Sequence, residues 1–143
     1  MYTYYIGLGS NLGDTRAHLL HAVELMNQRI GQVAALSSFY ETEPWGFCSE
    51  HRFMNAVCRV VTPLQPLELL EATQQIERQM GRKEKSADGV YHDRIIDLDL
   101  LRCFDERQQE VWLDDARLKL PHPLMEQRDF VMNPLRELME DNR

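Results

Sequence analysis

The sequence predicts an α+β sandwich, one sheet with two helices, in the order β-α-β-β-α-β. Three observations carry this. Tyr2–Leu8, Val33–Tyr40, Phe53–Val61 and Asp93–Leu101 are runs of strand length, rich in apolar and β-branched residues. Two longer stretches, after Gly13 and from Pro66, space their apolar residues for a helix instead. The two kinds of pattern follow one another in the split βαβ, or ferredoxin-like, order. At 143 residues, with no repeat or low-complexity tract, the chain reads as one domain, 1–143, long enough to bury a core.

The first strand runs into Gly7-Leu8-Gly9-Ser10-Asn11-Leu12-Gly13-Asp14, read as a tight corner whose backbone faces a ligand pocket. A dinucleotide-binding turn is excluded, because the third glycine of G-x-G-x-x-G falls at Leu12. Asp14 or Thr15 is placed to cap a helix whose stripe is Leu19, Leu20, Val23, Met26, Asn27 and Ile30, ended by Gly31. After the second strand, Glu41–Phe47 puts Trp45 and Phe47 in a loop with Pro44 and Gly46. That is unusual for a surface connection, and it offers a flat apolar wall for a planar ligand. The competing account has Trp45 fold back onto the core.

Asn55 interrupts the apolar third strand. A buried amide needs partners, and its paired donor and acceptor match the amide-like edge of a heterocycle. Pro66 suits a first helical turn, and Leu67, Leu70, Ile76 and Met80 define the second helix, which ends at Gly81. Gln74 and Glu77 are neighbours on its surface and read as ordinary solvated positions. The long polar loop from Gly81 to His92 carries local positive charge at Arg82, Lys83 and Lys85.

Asp93-Arg94-Ile95-Ile96-Asp97-Leu98-Asp99-Leu100-Leu101 is the stretch around which the chemistry gathers. On a strand, Asp97 and Asp99 share a face, with Cα atoms roughly 6.5–7 Å apart. Ile96, Leu98 and Leu100 then point into the core. Two like charges side by side suit a hard cation with oxygen ligands, Mg²⁺ rather than zinc, and Arg94 could clamp a phosphate. The competing account is two solvated aspartates paired to Arg94. From the residues alone both stand.

Beyond that strand, Glu110–Leu113 is expected to return as a hairpin partner. Leu118–Pro123 should be rigid and extended, with His122 held between two prolines. Met125–Arg128 reads as a helical turn and Phe130–Met132 as an extended piece, with a last short helix starting at Pro134.

A net charge of −7 argues against non-specific binding to nucleic acid or anionic membrane. Cys48, Cys58 and Cys103 are odd in number and lack C-x-x-C spacing, so reduced thiols in a cytoplasmic protein are expected. No signal-peptide pattern and no apolar run of about 20 residues occurs.

Taken together, several segments resemble the 6-hydroxymethyl-7,8-dihydropterin pyrophosphokinase family. They are Gly9-Ser10-Asn11-Leu12-Gly13, Ser37–Pro44, Phe53-Met54-Asn55-Ala56, Gln74-x-Ile76-Glu77 with Gly81-Arg82, Arg94–Asp99, and Pro121-His122-Pro123 with Arg128 and Phe130. They occur in the family's order and cover almost the whole chain. The resemblance implies transfer of pyrophosphate from ATP to the pterin hydroxymethyl group, with release of AMP. It implies Asp97 and Asp99 as ligands of two Mg²⁺ ions, and Arg82, Arg94 and His122 on the triphosphate, with Lys85 and Arg128 also toward ATP. Gln74, Leu100, Leu118 and Lys119 align around the adenosine. Thr42, Glu43, Pro44, Trp45 and Asn55 align with the pterin pocket, with Phe53 and Phe130 as ring walls. Arg82, Arg94, Asp97 and Asp99 form the implied catalytic set, and a monomer or weak homodimer is expected.

The chain departs from the family's pattern in places. Val90-Tyr91-His92-Asp93 replaces the usual Arg-Trp-Gly-Pro before Arg94, with Tyr91 in place of the Trp and Lys85 standing in for a loop arginine. Glu43 stands where Pro is common. Two other classes remain open at this stage. A nucleotidyl cyclase or polymerase palm would release pyrophosphate, and a ligand-binding regulatory module would leave Asp97 and Asp99 merely solvated.

Overall fold

The computed structural model describes residues 1–42, 52–81 and 95–141. The elements are β1 (Tyr2–Ser10), α1 (Thr15–Arg29), β2 (Gln32–Leu36), β3 (Tyr40–Thr42), β4 (Phe53–Thr62), α2 (Pro66–Gln79), β5 (Asp97–Phe104), β6 (Leu113–Asp114), β7 (Lys119–Leu120) and α3 (Asp129–Asp141). A 3-10 turn at Met125–Gln127 precedes α3. Strands β2, β4, β1 and β5 lie in that order in one antiparallel sheet, and β3 also pairs with β4.

β1 is longer than its sequence pattern suggests. Gly7, Gly9 and Ser10 are within the strand, paired to both neighbours or one of them, and the corner comes only afterwards, at Gly13 with φ +67°. Asp14 then caps α1 by accepting the Ala17 N–H at 3.1 Å. The buried stripe of α1 is Leu19, Ala22, Leu25 and Met26; Leu20, expected on that stripe, is 46% exposed. In α2, Pro66 opens the helix as expected and the Gln65 N–H is held by the Glu68 carboxylate at 3.0 Å.

The expected strand Val33–Tyr40 is two strands on one edge of β4. Between them Ser37 donates its N–H to the Val57 carbonyl at 2.9 Å, and its hydroxyl accepts the Val57 N–H at 2.9 Å. The hydroxyl replaces a ladder carbonyl, so the edge stays satisfied while the chain leaves strand geometry.

Two apolar layers flank the sheet. Tyr4, Ile6, Leu8, Ala56, Cys58, Val60, Ile96, Leu98 and Leu100 pack with α1 and α2. Tyr5, Val57 and Leu101 pack with Val131, Leu135 and Leu138 of α3. The second face, expected to carry only loops and the aspartates, is therefore partly covered by a helix. That helix absorbs the Phe130–Met132 segment expected to be extended, and Pro134 sits inside it rather than at its start. One missing N–H near the first turns costs less than the burial of the apolar stripe recovers.

The metal-strand candidate also shifts. β5 begins at Asp97, not Asp93, and continues to Phe104. Glu110 returns to it through a single bridge with Phe104, the Val111 N–H to the Cys103 carbonyl at 2.8 Å, and its carboxylate, which accepts from the Arg102 guanidinium at 2.7 and 2.8 Å. The expected Glu110–Leu113 hairpin partner is instead β6, which pairs with β7 through Leu113–Leu120 and Asp114–Lys119. Among the described residues, no helix is long and apolar enough to cross a membrane.

Candidate active site

Register places the candidate residues more tightly than their sequence spacing suggests. Gly9 of β1 is opposite Asp97 on one side and Asn55 on the other, and Asn55 is opposite Tyr40. Directly opposed residues point to the same face, so Tyr40, Asn55, Gly9 and Asp97 form one row. The next row runs Val57, Gly7, Asp99. At about 4.8 Å per strand, Asn55 and Asp97 are about 10 Å apart at the backbone, separated only by a glycine. Phe53, opposite Thr42, begins β4 beside this row.

Asp97 and Asp99 are half-buried, while Ile96, Leu98 and Leu100 between and around them are buried in the α1/α2 layer. The alternation is the one the sequence predicts. β5 is an edge strand, and its outer side is capped at two points. The Glu77 carboxylate accepts the Leu98 N–H at 2.8 Å, and the His122 N–H donates to the Leu101 carbonyl at 2.9 Å. Glu77, read as a solvated helix position, is 3% exposed. Burial on an edge hydrogen bond is invisible to helical spacing; only the interruption of an apolar face by a carboxylate hinted at it.

Below Asp99 lies a cavity of about 270 Å³ along that outer edge. Its lining includes five residues singled out from sequence: Asp99, Leu100, Leu118, Lys119 and His122. Leu70 also lines it, one turn of α2 from Gln74. His122 Nδ1 accepts the Leu124 N–H at 3.1 Å, so Nε2 of the neutral ring carries the proton and is a donor. Arg117, not singled out from sequence, lines the same cavity and binds Asp115 at 3.0 Å, and that hydrogen bond holds the Asp115 carboxyl below the usual range. Its signal was a basic residue directly before Leu118 in an otherwise acidic turn. Lys119 pairs with Asp114.

Arg128 and Phe130 are not part of that cavity's lining. Arg128 is 6% exposed, with its guanidinium 5.9 Å from the Phe130 ring centre, and Phe130 packs on the Tyr5–Val57–Leu101 layer. That layer is on the sheet face that carries Asn55 and Asp97. Glu43, Pro44, Trp45, Arg82, Lys85 and Arg94 lie outside the described residues, as does the side chain of Thr42.

Among the described residues no group of three or more His, Cys, Asp or Glu side chains gathers to hold a metal alone. Two carboxylates on one face, with glycines as their β1 neighbours, suit magnesium, which takes one or two carboxylates and completes its shell with water and phosphate.

Comparison with known proteins identifies the family. Residues 5–140 match the family model described as 7,8-dihydro-6-hydroxymethylpterin-pyrophosphokinase. A 2-amino-4-hydroxy-6-hydroxymethyldihydropteridine pyrophosphokinase of Porphyromonas gingivalis is 48% identical over 136 residues, covering 94% of this chain and 88% of the relative. Proteins of the same name from Aquifex aeolicus and Bacillus subtilis are 38% and 40% identical, covering 96% and 95% of this chain and 81% and 77% of theirs. With nearly its whole length matched, the chain belongs to the 7,8-dihydro-6-hydroxymethylpterin-pyrophosphokinase family.

Proposed function

We propose that this chain carries out its family's reaction on the sheet face shared by Asn55 and Asp97. The reaction is transfer of a pyrophosphoryl group from ATP to the hydroxymethyl group of 6-hydroxymethyl-7,8-dihydropterin, in folate biosynthesis. The observation that carries the placement is the row Asn55–Gly9–Asp97, adjacent to the cavity beneath Asp99. A pterin recognised at Asn55 has its hydroxymethyl arm within reach of phosphates gathered at Asp97 and Asp99.

The pterin oxygen forms a bond to the β-phosphorus, the bond from that phosphorus to the α-phosphate oxygen breaks, and AMP leaves as the hydroxyl proton is lost. Asp97 and Asp99 would hold two Mg²⁺ ions. When bound, these supply neutralisation of phosphate charge and activation of the hydroxyl. His122 donates from Nε2 to the triphosphate, joined by Arg82, Lys85, Arg94 and Arg128. Gln74, Leu100, Leu118 and Lys119 surround the adenosine. Asn55 presents donor and acceptor to the pterin edge, with Thr42, Glu43, Pro44 and Trp45 around it and Phe53 and Phe130 as walls. Positioning and electrostatics suffice for phosphoryl transfer without a dedicated general base. The sheet order and the placement of α1 and α2 on one face support the ferredoxin-like assignment, with α3 and the β6–β7 hairpin added. A cytoplasmic monomer or weak homodimer fits a chain acting on small molecules.

Product identity tests the reading. MgATP with 6-hydroxymethyl-7,8-dihydropterin should give pterin-dependent AMP and an equal amount of pterin diphosphate. ADP, or free pyrophosphate, would overturn it.

A further inference from the structure

Gly9 is the last residue but one of β1, a central strand paired on both sides at this position, where a glycine weakens the sheet unless something needs the space. It is buried, and among the described glycines only Gly13 and Gly81 have positive φ, so Gly9 is not present for backbone conformation. A Cβ built there would meet Asn55 Oδ1 at 3.1 Å, and the Phe53 ring at 3.6 and 3.9 Å. The Asn55 amide therefore leans over Gly9, along the row toward Asp97. Gly7, two residues earlier on the same face, differs: the nearest atoms to its Cβ would be Leu101 side-chain atoms at 3.5–3.7 Å, an ordinary contact.

We infer that Gly9 is a positioning residue for substrate selection, its missing side chain seating the Asn55 amide where it meets the pterin. This rests on the pterin reading of Asn55 given above. A methyl group at position 9 displaces the amide by a few tenths of an ångström, enough to spoil hydrogen-bond geometry to a heterocycle edge while the aspartates stay in register. The effect falls on the pterin and spares ATP, because the adenosine cavity lies along the outer edge of β5 and the methyl group leaves the register of Asp97 and Asp99, where the phosphates gather, unchanged.

The test measures affinities for 6-hydroxymethyl-7,8-dihydropterin and for MgATP in Gly9→Ala, Gly7→Ala, Asn55→Ala and the Gly9→Ala/Asn55→Ala double variant. Gly9→Ala should weaken the pterin about tenfold and leave MgATP within about twofold, with Gly7→Ala less affected. Once Asn55 is truncated there is nothing to displace, so the double variant should bind pterin as Asn55→Ala does. If Gly9→Ala does not fold, the double variant, with the space relieved, should fold and show that same affinity; failure of the double variant too would overturn the inference. So would a Gly9→Ala loss that persists undiminished in the Asn55→Ala background, or one that falls equally on ATP. An Asn55→Ala variant with unchanged pterin affinity would instead remove the reading on which the inference rests.

Discussion

The carboxylate of Glu77 accepts the N–H of Leu98 at 2.8 Å, tying helix α2 to the one residue between Asp97 and Asp99. The Leu98 N–H faces the outer side of β5, where among the described residues no further strand supplies a carbonyl. A buried carboxylate takes that place, and the backbone that spaces the two aspartates is held from behind. Glu77→Ala strands the Leu98 N–H in a buried setting, which costs roughly 1–3 kcal/mol. We expect urea unfolding to show that loss, and magnesium-dependent turnover to fall with it. Glu77→Gln keeps an acceptor oxygen and should recover most of both. A Glu77→Ala protein with wild-type stability and turnover would show that the contact positions nothing.

The aspartates themselves should behave differently. Asp97 is half-buried on a strand whose opposite face makes the core, so its truncation leaves the packing intact. Asp97→Ala is expected to reduce turnover on the order of 10²–10³-fold, the scale of losing one electrostatic stabiliser, with circular dichroism unchanged. Wild-type turnover in this variant would make the metal assignment wrong.

Asn55 is 5% exposed in β4, two strands from Asp97. Asn55→Ala should weaken pterin binding by roughly 1–3 kcal/mol, or about 5- to 150-fold, and MgATP binding far less. Titration of each ligand separately decides this, and equal losses would remove Asn55 from the pterin site.

Glu137 joins α3 to the β2–β3 edge. Its carboxylate accepts the Ser38 N–H at 2.7 Å and the Tyr40 hydroxyl at 2.9 Å. Burial acts to raise its pKa, but those hydrogen bonds outweigh it and hold the carboxyl below the usual range. A depressed folded pKa means stability that is fully present above the unfolded value, near 4.3, and lost as pH falls through the folded value. Glu137→Gln should therefore be less stable than the parent at neutral pH by about 1 kcal/mol. The gap should close on acidification below about pH 4. Thermal unfolding of the pair across pH 3–7 measures it, and a pH-independent gap would contradict the linkage.

The strand pattern of Phe53–Val61, the capping of α1 by Asp14 and the shared face of Asp97 and Asp99 were legible in the residues, because period, capping and alternation are local properties. The residues also marked the candidates for chemistry, because paired carboxylates, a Pro-flanked histidine and an amide in an apolar strand are unusual where they stand. Where strand and helix boundaries were missed, a distant partner decided. Ser37 breaks the edge because Val57 accepts and donates to it, and Phe130–Met132 is helical because Tyr5, Val57 and Leu101 offer α3 a surface. Glu77 is buried because the edge of β5 needs an acceptor. The row Asn55–Gly9–Asp97 also belongs to tertiary structure, since Asn55 is 46 residues from Gly9 in the chain and Asp97 is 88. Local sequence determined which groups were available for the chemistry. Strand register, set by packing over the whole sheet, decided which of them face one another.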